Sequence, residues 1–89
     1  MGEKRSREVA KAMTVEQIFW QSEYPVYSIA NMAGCNCQTI MRMLKKYMVP
    51  TYAKSRTAFI SRAEAIKLFS LPFEDCQKYL YNIRQKIDT

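Results

Sequence analysis

Apolar residues recur at helical spacing along most of the chain, interrupted by Pro25, Gly34, Pro50 and Pro72 and by two short β-prone runs. Val15, Ile18 and Phe19, with small Ser22, share one face and predict an amphipathic helix over residues 14–23. Thr14-x-x-Gln17 at its start is a capping box, in which the two side chains satisfy backbone donors that have no partner within the helix. Ser6 can cap a further short helix, Arg7 to Met13, so that the N-terminal helical region covers residues 6–23. Tyr24 precedes a proline and is pushed toward extended geometry, and a short strand is expected over Pro25–Tyr27.

Ser28 is expected to cap the next helix, with Ile29, Met32 and Ala33 facing inward. Gly34 ends it, because glycine takes the left-handed C-cap without penalty. Cys35 is the turn and Asn36 caps the helix that follows. There Ile40, Met43, Leu44 and Tyr47 form one apolar face, at positions i, i+3, i+4 and i+7, while Gln38, Met41, Arg42, Lys45 and Lys46 fall mostly on the other. Pro50 stops it. Thr51–Lys54 and Thr57–Ile60 read as a hairpin joined at Ser55-Arg56, a tip without the glycine or asparagine such turns favour.

Ser61-x-x-Glu64 is a second capping box and opens a helix over 62–69 with Ala65, Ile66, Leu68 and Phe69 as its apolar set. A last helix covers residues 72–87, with Phe73, Cys76, Leu80, Ile83 and Ile87 spaced 3-4-3-4. That stripe packs on the core or forms a seam for self-association through Phe73, Leu80, Ile83 and Ile87; its shortness favours the core. Phe19, Trp20 and Tyr24 are an aromatic cluster expected in the core, with a recombinase interface as the alternative.

Charge changes the picture. From Tyr24 to Ala63 there is no Asp or Glu, but there are Arg42, Lys45, Lys46, Lys54, Arg56 and Arg62. The rest of the chain holds eight bases and eight acids, which cancel, so the formal net charge of +6 belongs to this one block. A basic stripe confined to one structural unit is the electrostatic footprint of a nucleic-acid binder. Neutralising about five phosphates, it would show a log–log salt slope of about −4 to −5.

Composition excludes other classes. At 89 residues the chain is expected to be one domain, residues 1–89, and its 48% apolar content supports a modest core. No apolar run approaches the roughly 18 residues of a membrane span, and the basic N-terminus has no apolar segment after it, so a cytoplasmic location is expected. Cys35, Cys37 and Cys76 with no histidine offer three thiolates where a structural zinc site takes four ligands; no metal or cofactor is expected. Without histidine, paired acids in an apolar setting, a glycine-rich phosphate loop or a nucleophile motif, an enzyme is not expected, and no residue is assigned as catalytic.

A short helix, a glycine-containing turn and a longer helix with a basic face form a helix-turn-helix arrangement. Side chains near the start of the second helix reach base edges in the major groove. Gln38 can pair with adenine and Arg42 with guanine; Thr39 and Met41 can contact a thymine methyl. Asn36 and the amides behind it can hold a phosphate, and Lys45 and Lys46 are further phosphate contacts. Lys54, Ser55 and Arg56 at the hairpin tip, with Arg62 beyond its second strand, suit an adjacent minor groove or backbone.

Residues 27–69 resemble the MerR-like winged helix-turn-helix of excisionases and related small regulators. Ser28-Ile29-x-x-Met32-Ala33 looks like that family's opening helix, Gly34-Cys35-Asn36 its "G-V-S" turn, and Thr39-Ile40 its "T-[LV]" pair. Met48-Val49-Pro50 matches the lead into the wing, and Phe59-Ile60-Ser61-Arg62-x-Glu64 the wing strand and next helix. The tip here is Ser55-Arg56 where glycine or arginine is usual, Met43 stands where many relatives have tryptophan, and the C-terminal helix is extra. The resemblance implies a mostly α fold with a small β-hairpin wing and added N- and C-terminal helices. It implies a DNA-binding architectural protein, an excisionase-like recombination directionality factor of a mobile element that works with a site-specific recombinase. The chain is short for a ligand-sensing domain. Two alternatives stand beside this: a small transcriptional regulator with the same DNA-reading surface, and a protein-interaction module on the same scaffold.

Overall fold

The structure, a computed structural model, describes residues 13–88. The helix expected at Arg7–Met13 falls outside these but for its last residue. The described chain is mostly helical with a small three-stranded antiparallel sheet. Its elements are α1 (Val15–Ile18), β1 (Glu23–Pro25), α2 (Val26–Ala33), α3 (Cys37–Lys46), β2 (Tyr52–Lys54), β3 (Thr57–Ser61), α4 (Arg62–Ser70) and α5 (Glu74–Asp88).

Thr14 and Gln17 form the expected capping box, but α1 stops at Ile18 instead of running to residue 23. Tertiary donors end it. Arg62 donates from Nε to the Phe19 carbonyl (2.6 Å) and from Nη2 to the Glu16 carbonyl (2.9 Å), taking oxygens a longer helix would have used. The Gln21 amide then donates to the Tyr24 hydroxyl (2.9 Å), turning the chain into β1.

The expected strand at Pro25–Tyr27 lies two residues earlier, at Glu23–Pro25. Tyr24 faces Ile60 of β3 and both are buried, so the strand register follows burial of the tyrosine. Pro25, not Ser28, stands at the start of α2, with φ −62° and no side-chain cap. The buried stripe of α2 is Val26, Ile29, Ala30 and Ala33, with Met32 half-buried. Gly34, at φ 70°, closes a Schellman motif in which the Cys35 amide donates to Ala30 O (3.0 Å) and the Gly34 amide to Asn31 O (3.3 Å).

Strand order is β1-β3-β2. Side-chain alternation divides the sheet into two faces. Tyr24, Ile60, Ala58 and Ala53 point to one face, with Tyr24 and Ile60 in the core and Ala53 exposed beyond it; Glu23, Ser61, Pro25, Phe59, Tyr52, Thr57 and Lys54 point to the other. The hairpin is closed by Ser55 (φ 52°) and Arg56 (φ 67°), the positive pair that a two-residue type I′ turn demands, here without glycine. Ser61 caps α4 by accepting from the Glu64 amide (3.3 Å), and Glu64 Oε2 is buried with no hydrogen-bond partner among the described residues.

One apolar cluster joins these elements. Phe19 stacks on Phe69 (5.3 Å) and meets Tyr24 edge-on (5.5 Å); Ile29, Ile40, Leu44, Ile60 and Leu68 fill the space around them. Trp20 leaves the expected aromatic cluster and is 72% exposed. On α5, Cys76, Leu80 and Ile83 are buried in this same core. The stripe thus packs on the core, as its shortness favoured; Leu80 and Ile83 are not free for the alternative self-association seam, and its two ends, Phe73 and Ile87, are exposed. Asn82 and Lys86 of α5 donate to the carbonyls of Ala33 (3.2 Å) and Asn31 (2.8 Å), which ties α5 to the end of α2. Among the described residues no helix is long and apolar enough to cross a membrane.

Candidate nucleic-acid interface

Helix α3 buries Ile40, Met43 and Leu44 against the core and turns Gln38, Met41, Arg42 and Lys45 outward. Those four recur at i, i+3, i+4 and i+7, one helix face. With Leu44, Val49 and Thr51 they line an open groove of about 480 Å³ between α3 and the segment entering β2. No acid lines it. Arg42 and Lys45 have no ion pair or hydrogen-bond partner among the described residues. The groove thus offers one amide, two exposed cations and an apolar floor, the donor and methyl-contact set that base edges and phosphates accept.

The other expected site residues are differently placed. Asn36 Oδ1 accepts from the Thr39 amide (2.9 Å) and the Thr39 hydroxyl (3.0 Å), so both side chains are engaged in starting α3. Lys46 lies 3.6 Å from Asp75 and over the Tyr47 ring (5.2 Å). It lines a second cleft of about 460 Å³ with Tyr47, Phe73, Glu74, Asp75 and Lys78, on the α5 side. Tyr47 stacks on Phe73 (5.0 Å) and its hydroxyl donates to Asp75 Oδ1 (2.5 Å). That hydrogen bond, then one from the Cys76 amide (2.9 Å) and the Lys46 charge, hold the Asp75 carboxyl below its ordinary range, while a bond with Tyr47 and the Asp75 charge raise Lys46. Arg62 is turned inward onto α1, as described, and is not part of a cationic hairpin surface.

Lys54 is exposed at the hairpin but not unpartnered. Its ammonium donates to Glu23 Oε2 (2.7 Å) and sits over the Phe59 ring (5.8 Å). Tyr52, stacked on Phe59 (6.0 Å), donates its hydroxyl to Glu23 Oε1 (2.6 Å). The Lys54 and Tyr52 bonds lower the Glu23 carboxyl below its usual range, and the same bond raises the Tyr52 phenol. Ser55 and Arg56 are exposed at the turn, and Arg56 has no partner among the described residues.

Sequence reasoning missed Glu23, Tyr52 and Asp75. Two signals were present: Tyr52 and Lys54, two apart on a strand, must share a face, and Glu23 is the acid immediately before the acid-free block. It also missed Leu44, Val49 and Thr51 as groove walls. Cys37 is exposed at the start of α3 and Cys35 half-buried, its thiol raised chiefly by burial; burial pushes Cys76 up to about 11. Among the described residues no group of three or more His, Cys, Asp or Glu could hold a metal ion. No protein-family model, curated protein or solved structure matches this chain.

Proposed function

We propose that this chain binds double-stranded DNA as a winged helix-turn-helix protein. In this reading α2 is the supporting helix, α3 enters the major groove and β2–β3 is the wing. The observation that carries it is the acid-free groove lined by Gln38, Met41, Arg42 and Lys45. Arg42 reads guanine, Gln38 reads adenine, and Lys45 and Arg56 take phosphates. The family resemblance supports a role as an excisionase-like architectural factor that binds repeated short sites and bends them for a site-specific recombinase.

Salt titration of binding to a mixed-sequence duplex tests the reading. Three bases of the block (Arg42, Lys45 and Arg56) lack partners among the described residues, so the expected log–log slope is about −3, shallower than a count of all six bases gives. Arg42→Ala is expected to cost about 1–3 kcal/mol of binding to a selected site and to relax base preference at one position. A duplex not retained at about 50 mM salt overturns DNA binding and favours the protein-interaction module. Circular-permutation gel shifts then test the architectural role: a straight complex favours a transcriptional regulator.

A further inference from the structure

The carboxylate of Glu23 occupies a two-donor anion site. Its oxygens take one hydrogen bond each, from the Lys54 ammonium (2.7 Å) and the Tyr52 hydroxyl (2.6 Å), both on the outer face of β2. An ammonium and a phenol are donors that phosphate oxygens of nucleic acid commonly accept. Both are held in place from beneath: Tyr52 stacks on Phe59, and Lys54 lies over the same ring. Glu23 itself comes from β1, on the far side of β3, and reaches across the sheet to fill the site.

The site is open. Lys54 keeps 60% of its side chain exposed and Glu23 31%. A solvent-exposed ion pair contributes little to folding, so a polyanion can displace the carboxylate at small cost. We propose that Tyr52 and Lys54 form a phosphodiester site that Glu23 occupies in the free protein, so that the wing's grip on DNA is held down by an acid of the same chain. DNA phosphate and the Glu23 carboxylate compete for the same two donors. Non-specific binding, which rests on phosphate contacts alone, is weakened, and discrimination by Gln38 and Arg42 gains weight.

This inference rests on the DNA-binding reading, and the experiment separates the two. Binding of a mixed-sequence duplex is measured against salt for wild type, Glu23→Gln, Glu23→Gln/Lys54→Ala and Glu16→Gln. One further phosphate contact is worth about eightfold at about 0.1 M salt and about −0.9 in slope. Glu23→Gln is therefore expected to bind up to about eightfold more tightly and to steepen the slope from about −3 to about −4. Adding Lys54→Ala should remove most of that gain. Glu16→Gln deletes the same charge on exposed α1 without releasing a base, and should gain much less. Glu23→Ser repeats the measurement if the amide keeps the tyrosine and lysine engaged. A wild type that binds no DNA overturns the functional reading itself. A wild type that binds, with Glu23→Gln and Glu23→Ser no tighter, or with Glu16→Gln equally improved, overturns the competing acid alone.

Discussion

The groove beside α3 and the two flanks of the basic block carry the same kinds of residue in opposite states. In the groove, Arg42 and Lys45 stand free of partners among the described residues. At the flanks, Lys46 is matched by Asp75, Lys54 by Glu23, and Arg62 by two backbone carbonyls. All six belong to one acid-free stretch of sequence, yet folding brings acids to that stretch from both sides of it. Charge contiguous along the chain is therefore an upper bound on the charge offered to a ligand. The fold selects which half remains outward-facing and unneutralised, and that half is the one on the helix face and the turn.

Arg62 separates the two states most sharply. Removing its guanidinium leaves the Phe19 and Glu16 carbonyls without their donor and unfastens α1 from the start of α4. Arg62→Ala is expected to destabilise the fold by about 1–3 kcal/mol. Each kcal/mol lowers the melting temperature by about 4–8 °C in a domain of this size. Lys45→Ala, on the groove, should stay within about 0.5 kcal/mol of wild type in stability and reduce the salt slope of DNA binding by about 1. Thermal melts and binding titrations on the two variants should thus change in opposite columns. Arg62→Ala with an unchanged melting temperature and weakened DNA binding would place Arg62 with the groove after all.

The same contrast marks what was legible in the sequence. Local signals placed α3, α4 and α5 well: Asn36 caps as read, Ser61 forms its half of the expected capping box without the Glu64 side-chain return, Gly34 takes its left-handed turn, and the i, i+3, i+4 spacing identifies the outward face of α3. The failures are tertiary. Helix α1 is cut short by an arginine 46 positions away from Glu16, and β1 is displaced by pairing with β3, neither of which local spacing encodes. The groove's polar residues were readable because helix periodicity is local. Its walls, Val49 and Thr51, were not, because they come from a segment of no regular period. The pairing of Lys46 and Lys54 depends on acids 29 and 31 residues distant, beyond any pattern a window can hold.

The turn that carries Arg56 sharpens the comparison further, because there a free base coincides with backbone strain. Ser55 and Arg56 both hold positive φ, as does Met48, which is 84% exposed where the Schellman motif ending α3 favours glycine. The left-handed conformation costs a side-chain-bearing residue roughly 1–2 kcal/mol. Arg56→Gly is therefore expected to stabilise by about 0.5–1 kcal/mol while reducing the salt slope by about 1. Met48→Gly should stabilise by a similar amount with the slope unchanged. Chemical denaturation of both variants beside salt titration checks the split. If Arg56→Gly leaves the slope intact, the turn's charge does not reach DNA, and the free half of the block shrinks to Arg42 and Lys45.

The smallest expected effect falls on the α5 side, and it tests the engaged half. Asp75 holds Lys46 and accepts from Tyr47, and the tyrosine bond is the main reason its carboxyl lies below the ordinary 3.8. A carboxyl whose folded pKa is depressed adds stability that is complete above the unfolded value and is lost as pH falls through the lower folded one. Tyr47→Phe should bring the two values closer, with the Cys76 amide and Lys46 still lowering the folded one, so its deficit against wild type is present at neutral pH and shrinks below the ordinary 3.8. Solvent screening keeps the deficit small, since about a third of the Asp75 side chain (32%) is exposed. Lys46→Ala should behave as an engaged base: a slight loss on the same acid limb and no change in the salt slope of DNA binding. A slope reduced by about 1 in Lys46→Ala would mean that Asp75 releases its lysine to phosphate, and that pairing in the free protein does not decide which bases meet DNA.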